Sequence, residues 1–404
     1  TTEIYTLSLH DALPIYIPGV TVSPVNVTVT ESSPAQTYTV LLNTQPAAGE
    51  TVTISMSGFS AEITVAPTTL NFTDANWNVA QTVTVNAVNN FLDDGTRTTT
   101  IAHTVTGNNP ATPYGNGSVT ALPVDVTIND EDVSGVTINP TALTVTELGA
   151  SQTYTVVLTA QPFPGETVTI TNGGFSAVDI TVSPTTLTFD NANWNVAQTV
   201  TVTAVDNFVA EGTRGTTIAN SVAGSNPATA YGSTVTAASV IVTVNDNDVA
   251  GVTVSTGALT VTEAGAAQTY TLVLTSQPAA GETVTISNGG FSAVDITVSP
   301  TTLTFTAANW NVVQTVTVSP VDNLVADGTR STTIANGVSS SIGTTPYGNG
   351  TVTAGSVAVT INDNDVAGST VSPAAVTVTE LGAAQTYTVV LTSQPAAGET
   401  VTLT

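Results

Sequence analysis

The chain contains no cysteine and no lysine, and three arginines and two histidines are the only basic side chains in 404 residues. Without cysteine, neither disulfides nor thiolate metal sites can hold the fold. With two histidines, the nitrogen-rich ligand sets of zinc and copper cannot recur along the chain. A net charge of −26 repels nucleic-acid phosphates and anionic lipid surfaces, so neither partner is expected. No apolar run reaches the ~18 residues that cross a bilayer, so no membrane insertion is expected. Aromatics make up 5% of the chain. No Ser-His-Asp set, phosphate-cradling glycine loop or repeated histidine motif appears, so the residues predict no enzyme.

What is abundant is Thr and Val, residues that suit pleated, half-buried surfaces. They are arranged in a repeat. Arg97, Arg214 and Arg330 each close the same phrase (DDGTR, AEGTR, ADGTR) at spacings of 117 and 116 residues. Trp77, Trp194 and Trp310 recur in ANWN at those intervals, and Glu31, Glu147, Glu263 and Glu380 each end TVTE. A unit of this length buries its own core without staples, so the chain reads as a tandem array. The expected organisation is a sandwich at 16–132, a second at 133–248, a third at 249–365, and an incomplete fourth at 366–404. Residues 1–15 match nothing in the repeat, and LSLHDALPI resembles translated sequencing-adapter sequence. They are expected to be a non-native leader, and the 366–404 segment to be cut short or completed by another chain.

Within the second unit, GVTINPTALTVTE predicts one alternating, half-buried strand. Tyr154, Val156 and Leu158 share a face of the next strand, and FPGE makes a turn. AVDITVSPTTLTF predicts two short strands around Pro184, and VAQTVTVTAV a long one. Seven to nine strands with regular turn signals predict an all-β fold of tandem antiparallel immunoglobulin-like β-sandwiches. Linkers of about three residues force neighbours into contact and predict an extended rod.

Three acidic phrases recur. The first is the glutamate closing the opening strand. The second is a loop, VNNFLDDG, VDNFVAEG or VDNLVADG. The third is the closing NDED or NDND. Residues i and i+2 of a strand point to one side, so Asp130 with Asp132, Asp246 with Asp248, and Asp363 with Asp365 are expected to project together. Carboxylate clusters of this kind suit Ca²⁺, which takes six to eight oxygens in flexible geometry. The EF-hand pattern does not fit: with Asp246 first, position twelve is Gly257.

These phrases together resemble the Calx-beta domain, and the array is similar to the Calx-beta-like repeats of large bacterial surface and secreted proteins, over about residues 19–404. The resemblance implies Ca²⁺ bound at the sandwich end facing the next unit. Its ligands would be Glu147, Asp206, Glu211, Asp246 and Asp248 in unit two, and Glu263, Asp322, Asp327, Asp363 and Asp365 in unit three. In unit one they would be Glu31, Asp94, Asp130 and Asp132, a weaker site because Asn89 replaces the loop aspartate and Asp93 and Asp94 are displaced. The functional expectation is an extracellular bacterial stalk or adhesin segment rigidified by Ca²⁺. The alternatives are a protomer of a filament built from copies of itself, or an array binding surface glycans through its tryptophans. The tryptophans are expected to pack, the arginines to pair with an acid of their own loop, and His103 to be a surface strand residue. His10 lies in the leader.

Overall fold

A computed structural model describes residues 16–404. The leader expectation for 1–15 therefore lies outside the described residues. Among the described residues no helix is long and apolar enough to cross a membrane.

Each of the three repeats forms two facing sheets around one apolar core. In the second repeat the first sheet holds Val136–Asn139, Gln152–Leu158, Gln198–Ala204 and Ile180–Ser183 in that spatial order. The second sheet holds Ala142–Thr146, Val240–Asn245, Arg214–Gly224, Val168–Gly173 and Thr186–Phe189. That makes nine strands, the top of the expected range. One short helix, Ala230–Ser233, interrupts the β structure, its first turn capped by the Thr229 side chain.

The opening run is not one strand. It divides at Pro140 into Val136–Asn139 and Ala142–Thr146, which belong to different sheets. Proline has no N–H to give a ladder, so the chain changes sheets there. Pro184 does the same between Ile180–Ser183 and Thr186–Phe189. The second correction concerns strand direction. Ala142–Thr146 pairs in parallel with Val240–Asn245, with Val145 opposite Val244. The second sheet is therefore mixed, not purely antiparallel.

Alternation decides what is buried. Tyr154, Val156 and Leu158 point inward, as do Val200 and Val202, and Val240, Val242 and Val244. The first five close on Ile170, Phe189, Ile218 and those last three valines from the facing sheet, all fully buried. Each such side chain contributes roughly 1.5–3 kcal/mol relative to exposure, so the core needs no covalent staple.

Consecutive repeats touch through one loop. The Phe91 carbonyl accepts from Gln161 N–H at 2.8 Å, Phe208 from Gln277 at 2.7 Å, and Leu324 from Gln394 at 2.7 Å. The Phe91 ring lies 6.2 Å from that of Trp194, and the Phe208 ring 6.4 Å from that of Trp310. The linker is tied down as well: Thr159 and Thr275 hydroxyls donate to the carbonyls of Val133 and Val249 at 2.6 Å. Residues 366–404 form only a two-stranded sheet of Ser369–Ser372 with Thr388–Leu391, and Val376, Val378 and Val390 are exposed.

Candidate metal centre

The acidic end of each sandwich follows from the same alternation that builds its core. Leu143 and Val145 face inward from the opening strand, and Glu147 is next in phase, only 2% exposed. Its N–H still bonds the Asn245 carbonyl at 3.0 Å, which holds it against the end of the closing strand. Asp206 lies in phase with Val200 and Val202, two residues beyond the strand's end at Ala204, and is half-buried. Asp248 comes from the segment beyond Asn245. One oxygen from each of Glu147, Asp206 and Asp248 lies within 4.8 Å of the others. The third repeat gathers Glu263, Asp363 and Asp365 in this way, and the first gathers Glu31, Asp130 and Asp132.

The closing tetrad reaches this place by a turn, since the strand ends at Asn245. Asp246 is the hub. Its Oδ2 accepts from the Glu211 and Gly212 amides at 2.5 and 2.7 Å, and its Oδ1 from the Asp248 amide at 2.8 Å. Asp130 does the same for Asp94, Gly95 and Asp132, and Asp363 for Gly328 and Asp365. The i, i+2 pairing was expected from an extended strand; an aspartate turn produces it instead. These backbone donors hold the Asp363 carboxyl below its ordinary value.

Several oxygens at these centres have no partner. In the second repeat they are Glu147 Oε2, Asp206 Oδ1 and Asp248 Oδ2, one from each member of the group. In the third they are Glu263 Oε2 and Asp365 Oδ2. A buried carboxylate oxygen without a donor costs on the order of 1–3 kcal/mol or more, and three converging together ask for a cation. Burial raises the pKa of Glu147 and Glu263, with Arg214 and Arg330 opposing and neighbouring aspartates adding to it. Burial and adjacent aspartates likewise raise Asp132, Asp248 and Asp365. The set is all oxygen, anionic and partly enclosed, which fits Ca²⁺ with its remaining positions completed by carbonyls or water.

The first repeat differs. Asn89 stands where the others have Asp206 and Asp322, and its amide donates to Ser32 Oγ at 2.7 Å. Glu31 Oε2 accepts from the Asn90 amide at 3.3 Å, leaving Asp132 Oδ2 as the one buried partnerless oxygen of that group.

The other expected ligands lie outside these groups of three. Asp94, Glu211 and Asp327 pair with Arg97, Arg214 and Arg330 of their own loop. Asp322 is outside the third repeat's group of three, although its charge helps to raise Asp365. Each arginine also pairs with the buried opening glutamate: Arg97 with Glu31 and Arg214 with Glu147 at 2.5 Å, and Arg330 with Glu263. A third acid completes each set, namely Glu62 at 2.8 Å, Asp179 at 3.2 Å and Asp295 at 3.0 Å. The sequence reading passed over these three, yet they recur at the repeat spacing just before ITV, and that spacing was the available signal. A second series was also missed. Glu50, Glu166 and Glu282 are buried, but each accepts from the amide three residues before it and from a Thr hydroxyl, so they are satisfied.

The tryptophans are half-buried against the cores, and their carbonyls accept from Leu42, Leu158 and Leu274 amides. His103 corrects the surface expectation. Its ring bridges the Tyr38 hydroxyl at 3.0 Å and the Leu122 carbonyl at 2.7 Å. Asn220 and Asn336 make the corresponding bridges in the other repeats.

No family model and no curated protein matches the chain. Solved structures similar to it include CBD12 from CALX1.2, at 13% identity over 50% of this chain and 79% of that one, with a TM-score of 0.26. The calcium binding domain CBD12 of CALX1.1 matches with the same identity and coverage and a TM-score of 0.27. The apo-form Calx CBD1 domain matches at 16% identity over 29% of this chain and all of that one, with a TM-score of 0.23.

Proposed function

We propose that the chain is a stalk segment of an extracellular bacterial surface protein whose joints are stiffened by Ca²⁺. One observation carries the reading: the ion-site loop and the joint loop are the same loop. Asp206 supplies a partnerless oxygen to the acidic centre. Two residues later Phe208 stacks on Trp310 of the next repeat and binds Gln277 through its carbonyl. Asn207 braces the loop between them, accepting from the Val209 amide and donating to Glu211. Without a cation, the converging carboxylates repel one another and push on this loop. A bound ion removes the repulsion, ties the loop to Glu147 and Asp248, and stabilises the docked arrangement by mass action.

Glu147 and Glu263 hold the site on the sandwich, and Asp248 and Asp365 close it from the linker side. Asp246 and Asp363 fix the loop amides. Affinity on the order of 10⁻⁴–10⁻³ M, the range of extracellular modules, is expected. The engagement of Trp194 and Trp310 with Phe91 and Phe208 supports a joint role for them over a glycan-stacking one. Small-angle scattering of the chain in chelator and in millimolar Ca²⁺ tests the proposal. A longer maximum dimension with Ca²⁺ is expected, and equal dimensions in both conditions would remove it.

A further inference from the structure

At each acidic end the opening glutamate belongs to two charge clusters, a group of close carboxylates and a set of acids gathered around an arginine. Glu147 divides its oxygens. Oε1 meets Arg214 Nη2 at 2.5 Å, while Oε2 has no partner, and the residue is one of the group with Asp206 and Asp248. Glu263 divides in the same manner between Arg330 and its own aspartates. On the guanidinium side, Arg214 also holds Asp179 and Glu211 and is 17% exposed. Arg97 holds Glu31, Glu62 and Asp94, and Arg330 holds Glu263, Asp295 and Asp327. Every arginine of a chain without lysine is used this way.

We infer that the repeated arginine is a resident cation that fills the second position of a two-cation site, limiting each sandwich end to one exchangeable divalent ion. A guanidinium stays protonated at every physiological pH and offers several fixed donors to carboxylates. It therefore stays paired with Asp179, Glu211 and one oxygen of Glu147, offsetting one of their three negative charges. The exchangeable ion is left with the other oxygen of Glu147, Asp206 and Asp248. On this assignment Glu211 and Asp179 are not ion ligands, and the arginine is a positioning residue that sets stoichiometry. The inference rests on the calcium reading above for the identity of the exchangeable ion.

The test is an ion count on the full chain by native mass spectrometry, with calorimetric titration of CaCl₂, for wild type, Arg214→Gln, Arg214→Lys and Asp179→Asn. Arg214→Gln exposes a second carboxylate set and is expected to bind one more Ca²⁺ than wild type. Arg214→Lys restores a fixed charge and returns the count to that of wild type. Asp179→Asn touches only the arginine side and is expected to leave calcium affinity within about twofold. An unchanged count in folded Arg214→Gln would overturn the inference, as would a loss of about tenfold or more in Asp179→Asn. If Arg214→Gln does not fold, the Asp179→Asn result decides alone. Wild type binding no Ca²⁺ would overturn the calcium reading instead, and an ion gained by Arg214→Gln over that baseline would still support this one.

Discussion

Phe208 of one sandwich and Trp310 of the next stack with ring centroids 6.4 Å apart and planes inclined by 33°. Phe208 does this from a left-handed backbone, φ 61°, a conformation shared by Phe91 and Leu324 at the same place. A left-handed non-glycine residue costs roughly 1–2 kcal/mol. An aromatic pair returns about 0.5–1.5 kcal/mol beyond its buried area. The strained backbone is thus held by the docking it makes possible.

Phe208→Ala and Phe208→Gly separate these terms. Both lose the ring contact, but glycine adopts this backbone without penalty. The alanine variant is expected to be less stable than the glycine variant by about 1 kcal/mol, read by urea unfolding. Both should red-shift Trp310 emission in a background with the other tryptophans changed to phenylalanine. Equal stabilities would show that the left-handed turn carries no strain.

Asn89 is the residue that sets the first repeat apart, because its amide donates to Ser32 where Asp206 offers a bare oxygen. Asn89→Asp adds a carboxylate beside Glu31, Asp130 and Asp132. Calorimetry should show a calcium site strengthened by about tenfold, equivalent to about 1.4 kcal/mol. Asp206→Asn should weaken the second repeat's site comparably, and unaltered affinities in both variants would exclude this position as a ligand.

The pH dependence of stability should change sign with calcium. Burial raises Glu31, Glu147, Glu263, Asp132, Asp248 and Asp365 above their ordinary carboxylate values. A carboxyl raised in the folded state keeps protons that the unfolded chain has released, so stability falls as pH rises through that window. In chelator the melting temperature is expected to drop as pH rises above the ordinary carboxylate values of 3.8 and 4.5. In millimolar Ca²⁺, which binds the deprotonated folded form, the drop should vanish or reverse. Parallel curves with and without calcium would count against these carboxylates as the ligands.

His103 works in the opposite direction. Burial lowers its pKa, despite the favourable Leu122 carbonyl. The unfolded chain therefore takes up the proton first, and the first repeat loses stability as pH falls from the unfolded value of 6.5 through the lower folded one. His103→Asn copies the Asn220 and Asn336 bridges. It should remove this acid sensitivity and supply the background for the preceding measurement. Melting curves of wild type and variant that shift identically between about pH 7 and pH 5 would dismiss the idea.

Much of this was legible beforehand because a two-residue period is a strong signal. The inward series Tyr154, Val156, Leu158 and the burial of Val200 and Val202 follow from alternation alone. So does the phase that carries Glu147 inward behind Val145. A pairing of Arg214 with an acid of its own loop was expected, and in the structure that acid is Glu211. Asp179 was overlooked because one acid before a strand carries no local mark, and its partner is 35 residues away in the chain. Phe208 looked like an ordinary loop residue, since neither its backbone sign nor its distant tryptophan is written nearby.

The sequence by itself determined the all-β class, the repeat, the core-facing residues and the collection of acids at one end of each unit. These depend on local alternation and on spacing, which need no knowledge of partners. Only the tertiary structure decided which acids share an oxygen cluster and which surround a guanidinium. It alone showed that the opening run enters two sheets, one of them through a parallel pairing, and that Phe208 docks on Trp310. The reason is physical. Carboxylates of equal charge are interchangeable along a chain. They acquire different roles only when folding sets the distances, burial and donors around each oxygen.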